Sequence, residues 1–361
     1  MRDCLEGIRV LDLSQYLPGP FATRMLADLG AEVVKVEPPA GDPLRHIDPH
    51  GKPGSSPFYD LINAGKTVVV LDLKAPAENA AFADLVCRAD VLLESYRPGV
   101  LDRLGFGEER LKTLNPRLIH CALSGFGQTG PDRLTSGHDL GYEAMTGNLS
   151  ACGTAERPVI PYPPMADHAG AMQAVTSILA ALLARARTGK GCFLDVSLME
   201  SLLLWQAPAL TVAQPMGAGV INGGVAFYQI YRTADGRFIS LSPIEPKFWA
   251  NFCNAVDRPA WIARQHEPVP QTALIADVAA LIAAQPLEHW EALLPPADCC
   301  YQAVLTEAEV LAHPHIAARE LVHQRDGFVE VRLPVWRDGV PPDPRTAVRD
   351  AGWQEQLAAW S

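Results

Sequence analysis

Positive charge is in short supply. The 361 residues carry 30 Lys and Arg against 41 Asp and Glu, a formal net charge of -11. Nucleic acids and anionic membranes favour basic patches, so this balance argues against either as the main partner. It leaves room for an anionic small molecule, which needs only a few local cations. No apolar run approaches the ~18 uninterrupted residues of a membrane span. The opening MRDCLEGIRVLDLS carries Arg2, Asp3, Glu6 and Arg9 and has no apolar h-region, so no signal peptide is expected.

Clustered metal or redox ligands are also missing. The cysteines at 4, 87, 121, 152, 192, 253, 299 and 300 form no CxxC pair, which points to reduced thiols and a cytoplasmic location. His313-Pro-His315 is too isolated for a metal site and reads as a loop, so no metal is expected. Neither GxGxxG nor GxxxxGK followed by Ser or Thr occurs, which removes the usual signs of Rossmann or P-loop phosphate binding.

What is present fits an ordinary globular chain. With 48% hydrophobic and 20% charged residues, it can bury one large core or two modest ones. Ile8 to Ser14 is a short buried-strand pattern, and Phe21, Met25, Leu26 and Leu29 recur at helical spacing before the cap Gly30. Ala31 to Glu37 is the next strand, so the first 40 residues form a βαβ unit. The same alternation continues through strands at Thr67 to Leu73, Asp90 to Tyr96, Leu118 to Ser124 and Cys192 to Leu198. It predicts an α/β fold with a doubly wound parallel sheet over residues 1–200.

Pro208 to Gly224 reads as an extended linker within 201–225. Strands Phe227 to Arg232 and Phe238 to Ser242, joined at Asp235-Gly236, open a smaller α+β domain over 226–308. Residues 309–361 form a tail expected to return and pack on the large domain.

Two candidate proton-transfer groups stand in the stretch from Gly137 to Gly170. His138 follows a Gly-rich loop at the carboxyl end of a strand, the usual ligand position in an open α/β sheet. Asp167 precedes the apolar run Ala169 to Ala184, where it is placed to cap a helix and stay ionised beside helix N–H groups. Alone, such an Asp is most often a cap and such a His a satisfied side chain. Together, in different surroundings at one crevice, they suggest acid/base work. Lys66 and Arg97 sit at strand ends where a phosphate or adenine could lie, although solvated turn residues look the same. Met145, Leu203, Met216 and Phe227 are candidates for an acyl pocket or for core.

PGPFATRMLADLGAEVVKVEPPAGDPLR, NAGKTVVVLDLK, LLESYRPGVLDRLGFG and LSGFGQTGP resemble the class III CoA transferase (CaiB/BaiF) family over nearly the whole chain. That family includes acyl-CoA transferases, racemases and some lyases. GHDLGY, MADHAG and IEPKFW are similar to the racemase segments that supply a catalytic His, a catalytic Asp and a Glu partnering the His. The resemblance thus implies His138, Asp167 and Glu245 as catalytic residues of an acyl-CoA racemase. It also implies CoA contacts near Leu17, Lys66, Arg97 and Tyr142, no cofactor beyond the CoA of the substrate, and an interlocked homodimer. Helix N–H groups near Asp167 could aid an enolate. In the transferases the Asp is a nucleophile instead, so CoA transfer between an acyl-CoA and a carboxylic acid is the alternative. The tail lacks a GEHT-type segment and the linker is short, which leaves the acyl chain open.

Overall fold

Runs of β-branched and leucine residues alternate with alanine-rich helical stretches, and that alternation builds the larger part of the molecule. The computed structural model describes residues 1–47, 56–153, 157–212, 219–325 and 328–361. Strands β1 (Arg9–Leu13), β2 (Glu32–Glu37), β3 (Thr67–Val70), β4 (Val91–Glu94), β5 (Ile119–Ser124) and β6 (Cys192–Ser197) come first. Between them lie α1 (Pro18–Asp28), α2 (Pro57–Asn63), α3 (Pro76–Arg88), α4 (Val100–Arg103), α5 (Glu108–Leu114), α6 (Asp139–Met145), α7 (Asn148–Ala151) and α8 (Met165–Thr188). Next come α9 (Leu198–Trp205), α10 (Ala207–Val212), β7 (Gln229–Arg232), β8 (Phe238–Leu241), α11 (Pro246–Ala255), α12 (Thr272–Ile282), α13 (Leu287–Leu293), β9 (Tyr301–Ala303) and α14 (Glu307–Ala312). The chain closes with α15 (Pro314–Ala318), β10 (Val322–Arg325), β11 (Phe328–Val331), β12 (Arg349–Asp350) and α16 (Trp353–Ala359).

Two units result. The first comprises Met1–Thr146, Tyr162–Trp205 and Pro314–Ser361, and the second Gly147–Pro161 and Gln206–His313. In the first, seven strands lie in the order β12-β3-β2-β1-β4-β5-β6, all pairings parallel. Both faces are covered, as parallel sheets require. Val10, Val33, Val91, Ile119 and Cys121 pack with Ala22 and Leu26 of α1 and Ala174 and Ile178 of α8. Leu11, Val34, Val69 and Leu92 pack with Phe82, Leu85 and Val86 of α3 and with Trp360. The chain leaves β1 on one side and β4 on the other, so the order reverses between them. A crevice opens there at the carboxyl ends of the strands.

Gly30 ends the turn after α1 with φ +103, and an added Cβ would lie 1.6 Å from the Arg2 carbonyl oxygen. Both strain and overlap oppose any side chain, so Gly30→Ala is expected to destabilise the fold by about 2–4 kcal/mol in urea unfolding.

By length and composition alone α8 could cross a bilayer: 24 residues with an 18-residue window of mean hydropathy 1.4. Here its Ala and Gly face, including Ala166, Gly170, Ala174 and Ala181, is buried in the unit. Gly170 is needed for that approach, since a Cβ there would fall 2.2 Å from Leu198 Cδ2. The helix stops at Gly189, in the left-handed conformation that a C-terminal glycine takes without cost.

The second unit has an antiparallel sheet β7-β8-β9 with helices α11 to α13. Its core holds Phe227, Trp249, Phe252, Leu274, Val278, Ile282 and Trp290. Phe227 is therefore core of this unit rather than the wall of an open pocket. The stretch read as an extended linker is not extended where described. Ala207–Val212 is helical, with Pro208 in the first turn, where proline is tolerated, and Val225 at the end of the stretch is fully buried. Met216 lies outside the described residues.

Candidate active site

A cavity of about 310 Å³ occupies the crevice. Three strand ends supply its walls: Gln15, Tyr16 and Pro18 after β1, Ser95 to Pro98 after β4, and Ser124 to Phe126 after β5. Arg133, His138, Asp139, Tyr142 and Asp167 complete it. His138 and Asp167, far apart in sequence, thus meet in one space.

His138 immediately precedes α6 in extended backbone, exposed and making no side-chain cap. The extended conformation turns the chain into the helix and leaves the imidazole free to face the cavity. Tyr142, one helical turn on, is buried and stacks edge-on to Phe126 with ring centroids 5.1 Å apart. Its ring fills the space beside Gly125 and Gly137, where an added Cβ would lie 2.2 and 2.7 Å from Tyr142 atoms. Burial raises the Tyr142 phenol to about 12, with the nearby Asp167 adding to the rise and Arg97 opposing it.

Asp167 does not cap its helix. Helix α8 starts at Met165 after Pro164, which places Asp167 in the first turn. Carboxylates from α6 take the cap's place. Asp139 Oδ1 accepts from the Asp167 N–H at 3.0 Å, and Glu143 Oε1 accepts from the Met165 N–H at 3.2 Å. The Asp167 carboxyl is thereby released from capping and surrounded by acids. Burial, then Asp139, then Glu143 push it from 3.8 up to about 7. The expectation of an ionised cap is overturned: this carboxyl sits where it holds or gives up a proton near neutrality. Nor are those two first-turn N–H groups open to an enolate, because Asp139 and Glu143 already occupy them.

Asp139 and Glu143 were not singled out from sequence. Their spacing of four on one helix face was the available signal.

The proposed CoA contacts divide. Arg97, exposed, and Tyr142 line the cavity, while Leu17 packs toward Leu44, Tyr59 and Ile62. Lys66 is not an open strand-end cation. It is 1% exposed and its ammonium donates to Asp12 Oδ2 at 3.0 Å, the Pro20 carbonyl at 2.9 Å and Asn63 Oδ1 at 2.9 Å. All three donors are used, because a buried ammonium must be paired. Burial pulls Lys66 down to about 8 against the pull of Asp12. Burial raises Asp12, but Lys66 and Lys35 overcome this and hold it well below the carboxylate range. Lys66→Met is expected to destabilise by about 3 kcal/mol or more, since it leaves Asp12 charged without this partner; thermal unfolding measures it. Arg133 is a second exposed cation at the cavity that sequence reading passed over.

Beside Arg97, Glu94 accepts from the Tyr96 N–H at 2.6 Å and so fixes the turn after β4. In the second unit Glu245 is an exposed residue at the start of α11, where it makes no side-chain cap. Among the described residues no group of three or more His, Cys, Asp or Glu could hold a metal ion.

The sequence model of CoA-transferase family III matches residues 5–348. The chain belongs to that family. Among curated relatives it is 36% identical to human alpha-methylacyl-CoA racemase, across 86% of this chain and 80% of the racemase. It is 32% identical to acetyl-CoA:oxalate CoA-transferase of Acetobacter aceti, across 98% and 96%. Among solved structures, Rv3272 from Mycobacterium tuberculosis superposes with a TM-score of 0.84 at 29% identity, covering 99% of both chains. A CAIB/BAIF family protein from Brucella suis gives 0.83 at 28% identity, covering 98% of this chain and 97% of that one. This family III chain is thus similar to racemases and transferases alike, and the geometry of its cavity bears on the choice.

Proposed function

We propose that this family III enzyme epimerises 2-methylacyl-CoA thioesters by 1,1-proton transfer through an enolate. The observation that carries the reading is the Asp167 carboxyl, pushed up to about 7 in the same cavity as His138. Inverting a stereocentre needs two groups, one able to take a proton while the other holds one. Neutral His138 with protonated Asp167 serves one direction. Imidazolium His138 with carboxylate Asp167 serves the other.

A carboxyl near neutrality is available both as a nucleophile and as a proton carrier. What favours proton transfer is His138 in the same cavity, a second acid/base group that attack on a thioester does not need. CoA transfer with Asp167 as nucleophile is the competing reading, supported by the transferases among the relatives. Arg97 and Arg133 are proposed to meet CoA phosphates and Tyr142 to pack against the thioester end. We further propose a cytoplasmic homodimer, interlocked, with Glu245 from the small domain of a second copy orienting the His138 imidazole.

The test is NMR of (S)-2-methylacyl-CoA in deuterated water with no second acid. Deuterium at the α-position together with equilibrating epimers supports epimerisation. No exchange, with CoA moving onto an added carboxylic acid, overturns it in favour of transfer.

A further inference from the structure

Tyr16 is out of place by the rules of backbone geometry. It has φ +61, a left-handed conformation that costs an aromatic residue strain, and its side chain stays half exposed on the wall of the cavity. Such a conformation persists only where the surroundings over-determine it. Here they do. The Ser14 N–H donates to Asp12 Oδ1 at 2.9 Å, and the Ser14 carbonyl accepts from Lys35 Nζ at 2.6 Å. The Gln15 N–H donates to Ser95 Oγ at 3.2 Å, and the Tyr16 N–H reaches Asp42 Oδ1 at 3.5 Å.

Lys35 and Asp42 join these contacts from below. Lys35 Nζ lies 2.9 Å from Asp42 Oδ2, and both side chains are fully buried. Asp42 is itself fixed, since its N–H donates to Glu37 Oε2 at 3.2 Å and its Oδ1 also accepts from the Leu44 N–H at 3.0 Å. With Asp12 and Lys66 the four buried charges balance. A buried ion pair is weak evidence for stability, because desolvation offsets much of its attraction. Its cost is better explained by what it holds.

We infer that the buried Lys35–Asp42 pair is a positioning device that clamps residues 14–16 and presents the Tyr16 ring as a specificity-determining wall of the cavity. The inference deepens the acyl-thioester reading and rests on it: the wall meets the acyl part of the thioester that His138 and Asp167 address. Neither Lys35 nor Asp42 lines the cavity, so they act through the backbone of the segment they grip.

The test uses the full chain and three variants: Tyr16→Gly, the double variant Lys35→Met with Asp42→Asn, and the triple combination. The double variant removes both charges together, so no buried ion is orphaned. Each is followed by thermal unfolding, α-deuterium exchange on short and long 2-methylacyl-CoA thioesters, and calorimetric binding of the same thioesters. Tyr16→Gly is expected to keep or raise the midpoint, because glycine takes positive φ freely. Its kcat/KM is expected to fall about tenfold or more, with a changed ratio of long to short chains. The double variant is expected to fold and to show the same altered ratio, and the triple to lose no more than either parent.

Unchanged kcat/KM and chain-length ratio in Tyr16→Gly overturn the inference. So does a double variant that loses only midpoint, or losses that add in full. If the wild-type protein exchanges nothing, the epimerase reading fails. In that case thioester binding weakened equally by Tyr16→Gly and the double variant still upholds the clamp, and binding untouched by both overturns it.

Discussion

Replacing His138 by alanine is expected to lower epimerisation, and α-proton exchange on the face His138 serves, by about 10²–10⁴-fold, the usual range for losing a positioned general acid or base. The side chain is exposed and caps nothing, so thermal stability should stay close to that of the unaltered protein. The loss should be direction-sensitive in the first turnover. With (S)- and (R)-substrates in deuterated water, the face served by His138 goes silent, while Asp167 still exchanges the proton on its own face. Retention of full epimerisation would remove His138 from the mechanism. Conversely, CoA transfer to an added carboxylic acid that survives His138→Ala and dies with Asp167 would assign the chemistry to nucleophilic attack.

Asp167→Asn is expected to reduce kcat/KM by about 10²–10⁴-fold as well, and it carries a second signature in stability. The carboxyl titrates at 3.8 in its ordinary state and at about 7 in the folded protein. The folded state therefore holds this proton more tightly. Below pH 4 both states are protonated and the site costs nothing. As pH rises from 4 to 7 the unfolded chain ionises first and stability falls, and above 7 the fold carries the full cost of the buried charge.

Asparagine avoids that cost. The variant should match wild type near pH 4 and exceed it at pH 8, by on the order of 1–3 kcal/mol after discounting for the side chain's partial exposure. Thermal unfolding at the two pH values measures the difference. A variant less stable at pH 8 than wild type would mean that the carboxylate is held by favourable contacts, and that its pKa is not raised.

The large sheet was legible because its signals are local. Ile8 to Ser14, Ala31 to Glu37 and Leu118 to Ser124 are short, largely apolar runs bounded by turn residues, and strands buried on both faces read that way. The stretch from Pro208 to Gly224 misled because proline was read as a breaker, although at the start of a helix it is tolerated. Ala207–Val212 forms a helix with its side chains through Thr211 exposed, because Pro208 falls in the first turn and removes no helical hydrogen bond.

By itself the sequence determined the alternation of strands and helices and the presence of His138 and Asp167 in recognisable motifs. These depend on residue order, which fixes periodicity and turns. Only the tertiary structure decided the electrical state of the groups. It set Asp139 and Glu143 of α6 against the first turn of α8, so that Asp167 became a half-buried acid near neutrality instead of an ionised cap. It sank Lys66 against Asp12, turning an apparent phosphate cation into a structural one. The reason is physical: a pKa and a free donor are set by burial and by neighbours distant in sequence, and neither is encoded in any single stretch of chain.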